Sequence, residues 1–104
     1  MQKGSFYVKF LIADSDRQET QAVIAVIDPD QRHALSTESS LGALQLFRKH
    51  RPAMAIVNFD MPGGPELIES ILSESSDVQV IVSSGAQDME RAMNAFQDRV
   101  AAYI

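Results

Sequence analysis

Met54-Ala55-Ile56-Val57-Asn58-Phe59-Asp60-Met61-Pro62-Gly63-Gly64-Pro65 is the stretch that decides the fold of this chain. Its first four residues form a near-continuous apolar run, the pattern of a strand covered on both faces. The run passes straight into Asn58-Phe59-Asp60, and residues 61–65, with two prolines and two glycines, read as a turn. Leu67, Ile68, Ile71 and Leu72 then recur at helical spacing. Strand, polar strand end, turn and helix make one βα unit.

The same unit repeats outward in both directions. Upstream, Ser39 or Ser40 caps a predicted helix with Leu41, Ala43, Leu44 and Phe47 facing inward, and Lys49, His50 and Arg51 place positive charge at its C-terminal end before Pro52. Residues 31–37 form a weaker strand ahead of it. Earlier still, residues 7–13 read as a buried strand ending in Asp14-Ser15-Asp16. Asp16 is a good N-cap for a helix whose inner face carries Thr20, Val23, Ile24 and Ile27 before Pro29. Downstream, residues 78–82 make a fourth strand ending in Ser83-Ser84-Gly85, and Met89, Ala92, Met93 and Phe96 lie on a fourth helix capped near Asp88. Residues 100–104 start a fifth strand. Strands alternating with helices imply a doubly wound, mainly parallel α/β sheet of five strands with helices on both faces. In such sheets chemistry gathers at the C-terminal strand ends. The residues to interrogate are therefore Asp14, Ser15 and Asp16, then Asn58 to Asp60, then Ser83 and Ser84.

At 104 residues the chain has room for one domain, expected over residues 6–104, with residues 1–5 a loose end. A net charge of −5 with scattered Lys and Arg argues against a grip on nucleic acid or on an anionic membrane. Without Cys there is no disulfide, thiolate metal site or cysteine nucleophile. There is no signal-peptide pattern, and no run approaches the roughly 20 apolar residues of a membrane helix, so the expected location is the cytoplasm. His33 and His50 have no partner at ligand spacing and read as structural or solvated. Asp14-Ser15-Asp16-Arg17 has no Gly and would repel an anion, which sets aside flavin and dinucleotide binding.

Three segments in order, Lys9-Phe10-Leu11-Ile12-Ala13-Asp14, Val57-Asn58-Phe59-Asp60-Met61-Pro62 and Val80-Ile81-Val82-Ser83-Ser84-Gly85, resemble the receiver domain of bacterial response regulators, the flavodoxin-like phosphoacceptor module of two-component signalling. The resemblance runs from Lys9 to Ile104. It implies a doubly wound five-stranded sheet, an acidic pair after the first strand, a phosphorylated Asp after the third, and a switch hydroxyl after the fourth. The acidic pair falls on Asp14 and Ser15, the acceptor on Asn58 and the switch hydroxyl on Ser84. The family's fifth-strand Lys and last helix would lie past Ile104.

These departures remove the chemistry that the resemblance implies. Phosphoryl transfer needs a nucleophilic carboxylate, Mg²⁺ held by carboxylates, and a cation for the developing charge. Asn58 offers a neutral amide oxygen, so no catalytic residue is expected. The residual acidic pocket would comprise Asp14, Ser15, Asp16 and Asp60, with Asp14 alone offering Mg²⁺ a thin site and no cofactor expected. Asp16 reads better as the N-cap and Asp60 as a solvated turn carboxylate. The expected function is a pseudo-receiver that signals through protein partners without Asp phosphorylation and is not an enzyme. The alternative is an atypical but competent Mg²⁺-dependent phosphoacceptor. Expected partners are a second copy of the chain, a histidine kinase or an output domain in a phosphorelay, with Tyr103, Ile104, Val23 and Ile27 near an apolar face expected to be covered by dimerisation or by a further segment of a longer native protein.

Overall fold

The computed structural model describes residues 9–30 and 33–104. Its elements run β1 (Phe10–Ala13), α1 (Arg17–Ile27), β2 (Ala34–Thr37), α2 (Ser40–His50), β3 (Met54–Asn58), α3 (Gly64–Glu74), β4 (Gln79–Ser83), α4 (Met89–Phe96) and β5 (Ala102–Tyr103). All four strand pairings are parallel, in the order β2-β1-β3-β4-β5. The expected five-stranded, doubly wound α/β sheet is what forms.

Side chains alternate between the faces of a strand, and the register makes that alternation continuous across the sheet. Leu11, Ala13, Ala55, Val57, Val80 and Val82 share one face with the buried side chains of α2, α3 and α4. Ile12 and Ile56 share the other with Ile24 of α1. Among the described residues α1 is the sole helix in that smaller cluster. Tyr103 packs against the larger cluster, which corrects its expected place beside Val23 and Ile27. In parallel strands Tyr103 pairs with Val82 and takes the same face, whereas Ile104 projects to the opposite one and is 58% exposed.

Several boundaries and inward positions differ from the sequence reading. The first strand starts at Phe10, and residues 7 and 8 lie outside the described residues, as do 31 and 32 of the second strand. Leu41 is 68% exposed. The inner face of α2 is set by Ala43 and Phe47, and at about 100° per residue Leu41 lies roughly 160° around the helix from Ala43. On α4 the inner pair is Ala92 and Phe96, which leaves Met93 at the margin and half exposed. Asp88 makes no side-chain cap for α4. It closes a 3₁₀ turn over Ala86–Asp88 and pairs instead with Arg91 at 3.0 Å. The fifth strand is shorter than residues 100–104, although the N–H groups of Ala101 and Ile104 still donate to Val80 and Val82.

Caps explain where α1 and α2 begin. Asp16 accepts from the N–H groups of Gln18 and Glu19, and Ser39 from Gly42, satisfying donors that a helix start leaves orphaned. Arg48 of α2 grips Glu74 of α3 through two nitrogens, and this hydrogen-bonded charge holds the Glu74 carboxyl below its ordinary range. The pair is exposed and adds little to stability.

Asp28, at the end of α1, is a buried carboxylate that composition gave no reason to single out. Its Oδ2 accepts the N–H groups of His33 and Ala34 at 2.9 and 2.8 Å, turning the chain into β2. Asp28→Ala is expected to lower stability by about 2 kcal/mol, since both donors lose a charged acceptor. Urea denaturation checks this, and a change below about 0.5 kcal/mol would mean that water replaces the carboxylate freely.

Candidate functional site

The C-terminal ends of β1, β3 and β4 lie side by side because β1 and β3 are neighbours in a sheet whose chain order is interrupted there. That position is where an open α/β sheet leaves a crevice. Here the crevice is a cleft of about 390 Å³ between α1 and the strand ends, with Asp14, Glu19, Asn58, Ser83 and Ser84 at its polar end and Ile56 among its apolar walls.

Asp14 is 9% exposed, and its Oδ1 accepts the Asp16 N–H at 2.9 Å. The bond folds the β1–α1 loop back on the strand end. Ser15 is exposed and lies outside the cleft lining, as does Asp16, whose carboxylate is occupied in capping α1. Of the four residues expected in an acidic pocket, Asp14 alone lines it. The second acid in the lining is Glu19, which the sequence reading passed over. Its signal was position: the first turn of α1 follows β1 after a three-residue loop, so that turn overhangs the strand ends.

Asn58 closes β3 and is half-buried. Its Oδ1 accepts the Asp60 N–H at 2.8 Å, and its Nδ2 lies 3.4 Å from Ser83 Oγ. Both ends of the amide are thus turned toward protein groups. Ser83, one of the strand-end residues singled out in the sequence, pairs with Asn58 across the sheet, whereas the switch hydroxyl was expected at Ser84. Ser84 does line the cleft, but its hydroxyl donates to the Gly85 carbonyl at 3.1 Å and sits 3.8 Å from Met89 Sδ.

Asp60 is exposed, yet it is more than a solvated turn carboxylate. Its Oδ2 accepts the N–H of Gly85 at 2.9 Å, tying the loop after β3 to the loop after β4. Neither histidine enters the site. The His33 N–H serves Asp28, while His50 Nδ1 faces Lys9 Nζ at 3.2 Å. Burial, followed by the charges of Lys9 and Lys49, lowers the pKa of His50.

For a divalent cation such as Mg²⁺, which prefers oxygen ligands in near-octahedral array, the donor set is poor. Among the described residues Asp14 is the one carboxylate on the strand ends, Asn58 offers a neutral amide oxygen that also accepts the Asp60 N–H, and Ser15 is exposed and outside the cleft lining. Among the described residues no group of three His, Cys, Asp or Glu is placed to hold a metal. No helix among them is long and apolar enough to cross a membrane.

Solved structures with this architecture are numerous. The chain is similar to a response regulator receiver domain protein from Clostridium thermocellum, at 22% identity and a TM-score of 0.82, covering 93% of this chain and 80% of that one. The receiver domain of NtrX from Brucella abortus superposes with a TM-score of 0.83 at 17% identity, over 92% of this chain and 83% of the other. A two-component transcriptional regulator AraC from Clostridium phytofermentans shares 27% identity over 93% of this chain and 79% of its own, with a TM-score of 0.81. No curated relative matches the sequence. The profile of the family described as response regulator receiver domain matches residues 10–104, and with the sheet order and the three strand ends in place, the chain belongs to that family.

Proposed function

We propose that this receiver domain is a pseudo-receiver, a signalling module that works through protein contacts without phosphorylation of an aspartate. The observation that carries the reading is Asn58, which occupies the acceptor position with its amide oxygen bonded to the Asp60 N–H. An amide oxygen shares its electrons with nitrogen and is a far weaker nucleophile than a carboxylate. The thin oxygen donor set around Asp14 supports the same reading, in which the domain needs no bound cofactor and is not an enzyme. Its partners are proteins in the cytoplasm of a bacterial cell: a kinase, an output domain or a second copy of the chain.

The test is incubation with acetyl phosphate, and separately with beryllofluoride, each with Mg²⁺. Intact mass and amide chemical shifts at the three strand ends are expected to stay unchanged. A gain of one phosphoryl group localised to Asp14, Asp16 or Asp60 would establish a competent phosphoacceptor and defeat the proposal.

A further inference from the structure

The dipeptide Phe59-Asp60 makes more connections to the β4–α4 region than a turn requires. The Phe59 N–H donates to the Ser83 carbonyl at 2.7 Å, continuing the β3–β4 ladder by one bond. Its ring is buried and meets the Phe96 ring edge-on, with centroids 6.2 Å apart and planes at 81°. The Arg91 guanidinium lies 5.6 Å from the same ring, while its Nη1 pairs with Asp88. Asp60 reaches the other way, onto the N–H of Gly85. The loop before α4, the first turn of α4 and its last residue are thus all held from two adjacent residues.

We propose that Phe59 and Asp60 form a built-in clasp that fixes the β4–α4 loop and α4 in one position with no phosphoryl group present. The proposal rests on the phosphorylation-free reading above and says what takes over the positioning. Asp60 supplies an anion to the Gly85 N–H from its own side chain, and a carboxylate–amide bond is charge-assisted and about twice as strong as a neutral one. Asn58 aims that carboxylate by accepting the Asp60 N–H, so the residue that cannot be phosphorylated serves as the hinge pin of the clasp. Phe59 provides the apolar half, where an edge-to-face ring pair adds to the area it buries. The surface of α4 presented to a partner is then constant rather than switched.

Hydrogen exchange followed by mass spectrometry on the full chain tests the clasp. In Asp60→Ala, amides of residues 85–89 are expected to exchange about tenfold faster than in the wild type, as for the loss of one charged hydrogen bond from a locally opening segment. Asp60→Asn keeps an oxygen acceptor and should give a smaller rise. Amides of β1 and β3 should be unaffected in both. Unchanged exchange at residues 85–89 in Asp60→Ala would overturn the clasp, and so would an equal rise throughout the sheet, which would make Asp60 a general stabiliser. Intact mass of the wild type after acetyl phosphate is recorded alongside. A phosphoryl gain there defeats the underlying reading, whereas the exchange data judge the clasp itself.

Discussion

Gly64→Ala is expected to lower the stability of this domain by about 3 kcal/mol, the upper range for forcing an atom into a packed interior. A Cβ built on Gly64 would lie 2.4 Å from the carbonyl oxygen of Asn58 and 2.9 Å from that of Phe59. Both obstacles are backbone, so no rotamer change relieves them, and the backbone they belong to carries the site. Gly64 opens α3, is itself buried, and donates its N–H to the Met61 carbonyl, which is how so short a loop turns from β3 into the helix. Its neighbour makes the comparison. Gly63 has φ of 75°, where a side chain is strained, but its nearest obstacle is the Ser40 hydroxyl, which rotates. Gly63→Ala should therefore cost about 1 kcal/mol. Urea denaturation with unchanged slope would measure both. For a domain of this size the Gly64 variant should melt more than about 10 °C below the wild type. If the two alanine variants were equally stable, the close approach of α3 to the β3 strand end would not be what confines this loop.

The fold was legible because its signals are local. Runs such as Ala55-Ile56-Val57 and Val80-Ile81-Val82 declare buried strands, and Pro62 and Gly63 leave no option but a turn. The turn read over residues 61–65 ends earlier, since Gly64 and Pro65 already belong to α3, where a proline in the first turn loses no helical hydrogen bond. The site was legible as far as strand ends go: Asp14, Asn58 and Ser84 do line one cleft. What escaped depends on direction in space. Whether Asp60 faces water or Gly85 is decided by the path of a loop 25 residues away in sequence, which no spacing rule reaches. Glu19 enters the cleft because of the angle at which α1 leaves β1, and Leu41 leaves the core because Ala43 and Phe47 set the inner face of α2 and Leu41 lies on the far side of the helix from Ala43. Nothing in the sequence around Pro29 sets Asp28 apart. Only the return of the chain into β2 gives its carboxylate two donors.

Ser15→Asp combined with Asn58→Asp is expected to give a larger Mg²⁺ response than the wild type shows. Asn58→Asp would add a carboxylate inside the cleft that Asp14 and Glu19 line, and Ser15→Asp would add one next to Asp14 in the chain, outside that lining. Two unit charges 4 Å apart near a protein surface interact with about 4 kcal/mol at an effective dielectric of 20. With wider spacing and solvent access, the metal-free double variant should lose about 1–2 kcal/mol relative to the wild type. Mg²⁺ reverses that sign, since a cation held by the native site stabilises it by about 2.7 kcal/mol at a hundred times its dissociation constant. The single change Asn58→Asp restores less. It keeps the acceptor for the Asp60 N–H and gives up the long Asn58 Nδ2 contact to Ser83, but it leaves Ser15, which offers no carboxylate, in the place of the second acid. Thermal melts across a Mg²⁺ titration, with NaCl matched for ionic strength, separate specific binding from screening. A double variant that melts identically with and without Mg²⁺ would show that the oxygen donors at positions 14, 15 and 58 do not converge. A single variant matching the double would instead place the whole gain in metal affinity on the one carboxylate added by Asn58→Asp.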